Sequence, residues 1–256
     1  MAEAAGTRAR PRTVATDAIV WRRIDFRESS RIVTFLTRDH GRVQALAKGA
    51  HRPTSPLLGR IDLFNEVRIT LSADRGGLRT LVRLELVHER RALREPERFL
   101  AASHLAELCD RAVHADRPDP ELHDLCAGGL LLLERAPVHA LPTVVLGLEL
   151  RLLAHLGQLP DLAGCSVCGV ALAEDAWLGA DGALGCRSHA PTPRSALSAQ
   201  ALQRLRTLLQ LPGRRLPTAA TERTSPAAVA ACGRWLELAL ERRFRLRAAV
   251  LAVPAG

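Results

Sequence analysis

The stretch "RIVTFLTRDHGRVQALAKGA", residues 31–50, decides how the first third of the chain folds. Val33 and Phe35 oppose Ile32, Thr34 and Leu36, and then Val43, Ala45 and Ala47 share one face while Arg42, Gln44 and Lys48 stand on the other. A period of two is the mark of a half-buried β-strand, and here it occurs twice in succession.

The same logic extends in both directions. Upstream lies "TDAIVWRR" (16–23). Downstream, "RIDLFNEVRITL" (60–71) sets Ile61, Leu63, Val67, Ile69 and Leu71 against Arg60, Asp62, Glu66 and Arg68. After the turn signal "ADRGG" (73–77), "LRTLVRLELVH" (78–88) points Val82, Leu84 and Leu86 inward, against Arg79, Arg83 and Glu85. About five strands in fewer than 80 residues is the size of a small closed barrel, OB-fold or SH3-like, which the pattern alone does not separate.

At "REPERF" (94–99) the period becomes helical. Leu105, Leu108, Cys109, Ala112 and Val113 form one stripe, and Leu122, Leu125, Cys126 and Leu133 another. Residues 142–157 are apolar almost all round, as in a helix central to a bundle, and stop at Gly157 before Pro160. Two further helices carry Leu202, Leu205, Leu208 and Leu209, and then Val229, Cys232, Leu236 and Leu240, the second opening with Ser225 as cap and Pro226 in its first turn. A short flexible segment lies near "PGRRLPTAATERTSP" (212–226).

Between these helices, "GCSVCGVALAEDAWLGADGALGCRSHA" (164–190) holds Cys165 and Cys168 two residues apart between glycines, and Cys186 and His189 at the same gap. A short hairpin at "GADG" separates the pairs. Paired knuckles of this kind point to tetrahedral zinc with three thiolates and one imidazole, and four protein ligands make such a site structural. A metal-free relic and a thiol redox pair are the alternatives, the latter lacking the strand-to-helix setting that such chemistry uses. The H-x-E element of a zinc deaminase is missing, since His88-Glu89 has the wrong order. Cys109, Cys126 and Cys232 sit on apolar stripes and read as core.

Charge locates the partner. The chain of 256 residues has 36 basic and 27 acidic side chains, a net of +9, with Lys48 its only lysine. Residues 1–90 hold 17 basic against 10 acidic side chains, so +7 of the excess lies in the barrel region and its N-terminal arm. That excess suits an anionic polymer. Only Trp21, Phe26, Phe35 and Phe64 are aromatic there, and some must fill the core, so phosphate contact is favoured over base stacking. Phosphate-loop, dinucleotide, metalloprotease and nucleophile-elbow motifs are all missing, so nothing looks catalytic. The closest approach to a membrane span, 141–157, is broken by Glu149 and Arg151, and the start "MAEAAGTRARPR" lacks the apolar core of a signal peptide, so a cytoplasmic protein with no membrane partner is expected.

The segment "DAIVWRRIDFRESSRIVTFLTRDHGRVQALAKGAHRPTS" (17–55), then "LLGRIDLFNEV" (57–67), the helices and the CxxCG lobe resemble the RecO family of bacterial DNA repair and recombination mediators over the full length. The E-S-S-x-I-x-x-F-x-T-x-x-x-G run, the K-G-A-x-R element at Lys48 to Arg52 and the CxxC lobe carry the likeness. The resemblance implies an α+β chain: an N-terminal OB-fold β-barrel followed by an α-helical domain with an inserted zinc-binding lobe. The boundaries follow as a flexible basic arm (1–12), the barrel (13–90), the helical domain (91–160 and 191–256) and the lobe (161–190).

It further implies a non-enzymatic protein of the nucleoid that binds single- and double-stranded DNA and anneals complementary strands. With RecR, such proteins load RecA onto DNA coated with single-strand binding protein, whose acidic tail docks on the helical domain. Lys48 and Arg52 then become the first DNA-contact candidates. Arg42 joins them by strand parity, and Arg22, Arg23, Arg31 and Arg60 by nearness to strand ends. The family lobe commonly has a fourth Cys where this chain has His189. A zinc-stabilised protein adaptor without a primary DNA function is the competing reading.

Overall fold

The computed structural model describes residues 13–72, 78–112, 117–192, 194–220 and 225–252. The arm (1–12), the "ADRGG" turn, Val113 and residues 221–224 lie outside them, and the part of the 212–226 segment that is described is not loose: Gly213–Ala219 form a 3-10 helix with Leu216 buried. The described residues up to Arg90, with 117–120, form one compact unit, and the remainder form a second.

The first unit is a closed five-stranded barrel in the order β1-β2-β3-β5-β4, with β1 returning to β4. This is the Greek-key connectivity of an OB-fold, and it decides between the two barrels that the sequence left open. The strands are β1 (Thr13–Phe26), β2 (Ser30–Thr37), β3 (Gly41–Ala47), β4 (Glu66–Ser72) and β5 (Arg79–His88). β1 to β3 form an antiparallel meander, whereas β3 meets β5 in parallel at Ala45 and Leu46. Val33, Phe35, Val43, Ala45 and Ala47 fill the interior, as their alternation predicts, with Ile61 and Leu57 packed against them from the turns before β4.

Two expectations require correction. The run 60–71 is not one strand: β4 starts at Glu66, because Phe64 adopts a left-handed backbone (φ 69°) and its N–H donates to the Val20 carbonyl at 2.8 Å. The loop is secured by buried Asn65, whose Nδ2 donates to the Gly59 and Arg60 carbonyls and whose Oδ1 accepts from the Arg90 N–H. In β5, Leu81 and Leu84 are buried, whereas Val82 and Leu86 are exposed. A register shift opposite Thr70/Leu71 pairs Thr70 with Arg83 and Leu71 with Leu81, so an extra residue reverses the parity. A similar bulge in β1 between Val20 and Arg22 leaves Trp21 without a ladder partner, so Ile19, Val20 and Trp21 are buried in succession.

The second unit is helical: α1 (Pro96–Ala112), α2 (Pro120–Arg135), α3 (Leu141–His155), α4 (Ala199–Gln210), α5 (Pro226–Leu240) and α6 (Arg247–Leu251). As predicted, α3 is central, meeting α1, α4, α5 and α6. It is the one described helix segment (Val138–His155) long and apolar enough to cross a membrane, but 67% of it is buried inside the protein. Ser225 stands at the cap position of α5 but makes no side-chain cap bond; Ser198 does so for α4, accepting from the Ala201 N–H at 3.2 Å. Buried Trp235, which the α5 stripe had not included, donates from Nε1 to the Gly182 carbonyl at 2.9 Å.

Glu149, wholly buried on α3, ties three other helices together. It accepts from His104 Nε2 of α1 at 2.8 Å, from Arg247 Nε and Nη2 of α6 at 2.8 and 2.9 Å, and from the Cys232 thiol of α5 at 3.5 Å. Burial pushes its carboxyl up, but the His104 and Arg247 hydrogen bonds outweigh that and hold it below the ordinary value. Between α3 and α4 a three-stranded sheet, β7-β6-β8, is formed by β6 (Ala176–Gly179), β7 (Leu184–Gly185) and β8 (Arg194–Leu197).

Candidate functional site

The barrel offers a cationic end. Beyond β3 the chain turns through Lys48, Gly49, Ala50, His51 and Arg52, with Gly49 left-handed (φ 68°) and the Arg52 N–H closing the turn on the Gly49 carbonyl at 3.1 Å. Ala50 is buried as the plug, leaving Lys48 and Arg52 in solvent. The His51 N–H donates to the Ser29 carbonyl at 3.1 Å, which fastens this turn to the β1–β2 hairpin.

The seven candidate cations do not form one patch. Arg31 opposes Ala47 in the ladder and so neighbours Lys48; its Nε donates to Asp25 Oδ1 at 2.9 Å. Arg22 and Arg23 follow the β1 bulge opposite Thr34 and Val33, both exposed. Arg23 is ion-paired with Asp62, which places the turn bearing Arg60 beside it. Arg42 lies at the other end of β3, six residues from Lys48, or about 20 Å along the strand. Sequence parity put Arg42 on the face of Lys48, and the strand places the two at opposite ends. The side chains of Lys48, Arg52, Arg22 and Arg60 have no carboxylate partner among the described residues.

Two residues of this end escaped the sequence reading. Arg27, left-handed at φ 57°, caps the hairpin tip with its guanidinium 5.2 Å from the Phe26 ring centre. His51 hydrogen-bonds Asp25 at 2.7 Å, and its position inside the K-G-A-x-R element was the available signal. Hydrogen bonds from Arg31 and His51 hold the Asp25 carboxyl below its ordinary value. Trp21, Phe35 and Phe64 are buried, so Phe26 is the one aromatic of the barrel strands outside the core.

In the second unit, Cys165, Cys168, Cys186 and His189 converge, their ligand atoms all within 4.8 Å of one another. The Cys168 and Cys186 sulfurs are 4.0 Å apart, and Cys186 Sγ is 3.4 Å from His189 Nδ1. A tetrahedral ion with metal–sulfur bonds of about 2.3 Å needs sulfurs about 3.8 Å apart, so the set fits a closed, four-ligand site. The first pair sits on a knuckle closed by the Gly169 N–H on the Cys165 carbonyl at 2.8 Å, and the second on a turn closed by the His189 N–H on the Cys186 carbonyl at 3.0 Å.

Backbone N–H groups of Cys186, Cys168 and Val167 point at the Cys165 sulfur and lower its pKa to about 6, which prepares a thiolate. At Cys168 a hydrogen bond from Val170 lowers the pKa, but desolvation and the neighbouring Cys165 and Cys186 sulfurs raise it more. Gly185 is obligatory here: a Cβ would fall 2.2 Å from the His189 carbonyl oxygen. The lobe is locked to the helices by Arg206, donating to the Leu162 and Leu172 carbonyls, and by Asp175, accepting from the Ala199 N–H.

Residues 12–90 match the family model for Recombination protein O, N terminal, and residues 93–248 the model for Recombination protein O, C terminal. The DNA repair protein RecO of Myxococcus xanthus is 36% identical over 159 residues, covering 62% of this chain and 64% of that protein. RecO of Exiguobacterium sibiricum is 32% identical over 183 residues, 71% and 72% of the two chains. RecO of Rhodopirellula baltica is 37% identical over 154 residues, 59% and 56%. The matched part is less than two thirds of the first and third of these relatives. The OB-fold barrel lies in the segment that the first model matches, and the helical unit with its Cys/His cluster in the segment that the second matches. The chain belongs to the RecO family.

Proposed function

We propose that this chain is a non-enzymatic DNA-binding mediator of recombinational repair, acting in the cytoplasm at the nucleoid. It binds single- and double-stranded DNA through the cationic end of the barrel, anneals complementary strands, and with RecR helps load RecA onto DNA coated by single-strand binding protein. The barrel is the DNA-binding part, and the helical unit with its lobe serves protein partners, the acidic tail of the binding protein included. Zinc held by Cys165, Cys168, Cys186 and His189 stabilises the lobe and takes no part in chemistry.

The observation that carries this reading is the set of outward cations around the Lys48–Arg52 turn, with Arg22 and Arg60 nearby, on a barrel whose aromatics are mostly buried. Charges without a stacking platform hold phosphates and leave base edges free, as annealing requires. In a titration of labelled oligonucleotides across a salt series, Lys48→Ala with Arg52→Ala weakens binding evenly across sequences. The log–log salt slope falls by about 0.7–0.9 for each lost contact. Unchanged affinity and slope place the DNA elsewhere. Annealing of strands coated with single-strand binding protein, run on the same variants, tests the mediator step.

A further inference from the structure

One group at the cationic end has the wrong sign for it. Asp25 pairs with Arg31 across the β1–β2 ladder, on the face that Val33 turns to the core but at the exposed end of the strand; its Oδ1 accepts from Arg31 Nε at 2.9 Å and, in the Nε2–H tautomer of His51, from His51 Nε2 at 2.7 Å, with Arg31 Nε 3.0 Å from that nitrogen. Two donors therefore converge on one anionic oxygen, the arrangement that also receives a phosphate oxygen.

The three side chains are unequally held. Arg31 and His51 have side-chain exposures of 17% and 28%, and both sit on anchored backbone: Arg31 in the ladder to Ala47, His51 on the bond to Ser29. The Asp25 side chain is 70% exposed and makes no other bond that fixes it. The donors are preorganised and the acceptor is the replaceable partner, since an exposed carboxylate loses little by rotating into water. Lys48 follows Ala47, the ladder partner of Arg31, and Arg52 lies one residue beyond His51, so two further cations stand in the same turn.

We infer that Asp25 is an internal stand-in for a nucleic-acid phosphate: its carboxylate occupies the subsite built by Arg31 and His51, and a bound strand must displace it. This rests on the DNA-binding reading above and adds to it His51 as a contact residue beside Arg31, and a carboxylate that restrains both. A phosphate reaches Arg31 and His51 only in competition with Asp25, so a strand already held by Lys48 and Arg52 gains this contact more readily than free phosphate does.

The test is oligonucleotide binding by fluorescence anisotropy, over a salt series, for the full chain, Asp25→Asn, Glu85→Gln and Asp25→Asn combined with Arg31→Ala. Glu85→Gln makes the same change in net charge on β5, away from the subsite, and thermal melts confirm that each variant is folded. Asp25→Asn is expected to bind about three- to ten-fold tighter near 0.1 M salt, with a log–log slope steeper by up to about one unit. Glu85→Gln changes affinity less than about two-fold, and Arg31→Ala removes the Asp25→Asn gain. Equal gains from Asp25→Asn and Glu85→Gln, or a gain that survives Arg31→Ala, overturn the inference while leaving DNA binding intact. Loss of salt-dependent binding in the unaltered chain overturns the DNA-binding reading itself.

Discussion

Arg247→Met is the perturbation whose cost the structure makes most definite. Arg247 delivers two hydrogen bonds, at 2.8 and 2.9 Å, to a carboxylate with no exposed surface. A methionine retains the bulk but leaves Glu149 with His104 and a weak thiol donor, and truncating one partner of a buried pair costs about 3–5 kcal/mol. For a chain of this size each kcal/mol lowers Tm by about 2–4 °C, so a fall of roughly 6–20 °C is expected in the helical transition. The pH dependence has a defined sign. Because the Glu149 carboxyl lies below its ordinary value, its contribution is complete above the unfolded value of 4.5 and is lost as pH falls through the folded one. The full chain therefore loses this stabilisation in acid, and Arg247→Met has less of it to lose. Replacing both charges, as in Glu149→Leu with Arg247→Leu, recovers much of the deficit, since the buried charge goes with its partner. Calorimetry at pH 7 and pH 4 reads the parent and both variants. A Tm for Arg247→Met within 2 °C of the parent, or a double variant worse than the single, refutes the reasoning.

Two further outcomes concern the lobe. Gly185→Ala is expected to lower metal affinity at least about ten-fold, because its Cβ displaces the His189 carbonyl and with it the second ligand pair; competition with a chromophoric chelator measures this. His189→Ala leaves three thiolates and should release zinc at chelator concentrations that the parent withstands, whereas His189→Cys retains stoichiometric zinc by metal analysis, since both side chains complete a tetrahedral set.

The barrel was readable because most of its strands keep strict alternation: Val33, Phe35, Val43, Ala45 and Ala47 are inward as their period requires. The failures fall where one residue breaks the count. The bulge opposite Thr70/Leu71 buries Leu81 and Leu84, three apart, and no periodicity announces an insertion that only the partner strand defines. Phe64 reads as a strand residue, yet its left-handed backbone is set by pairing with Val20. The Cys/His spacing named all four members of the cluster that could hold a metal ion, because a knuckle is a local structure. The cationic end was only half legible: the K-G-A-x-R element marked Lys48 and Arg52, but that Arg42 lies a strand length away and that Asp25 reaches His51 are facts of the fold.

β1 has a consequence for assembly. Its first half pairs with β4 and its second with β2, so a single strand closes the barrel. The β1–β2–β3 meander is made of near neighbours in sequence, whereas the β1–β4 seam joins Thr13 to Ser72 and Ile19 to Glu66. Local hairpins form in microseconds, and contacts between distant segments wait on loop closure. Every residue of the Lys48, Arg52, Arg31, His51 and Asp25 constellation lies in the meander or its following turn. The geometry of this cationic turn is thus encoded in the early, local part of the folding reaction, and the late seam serves to make it permanent.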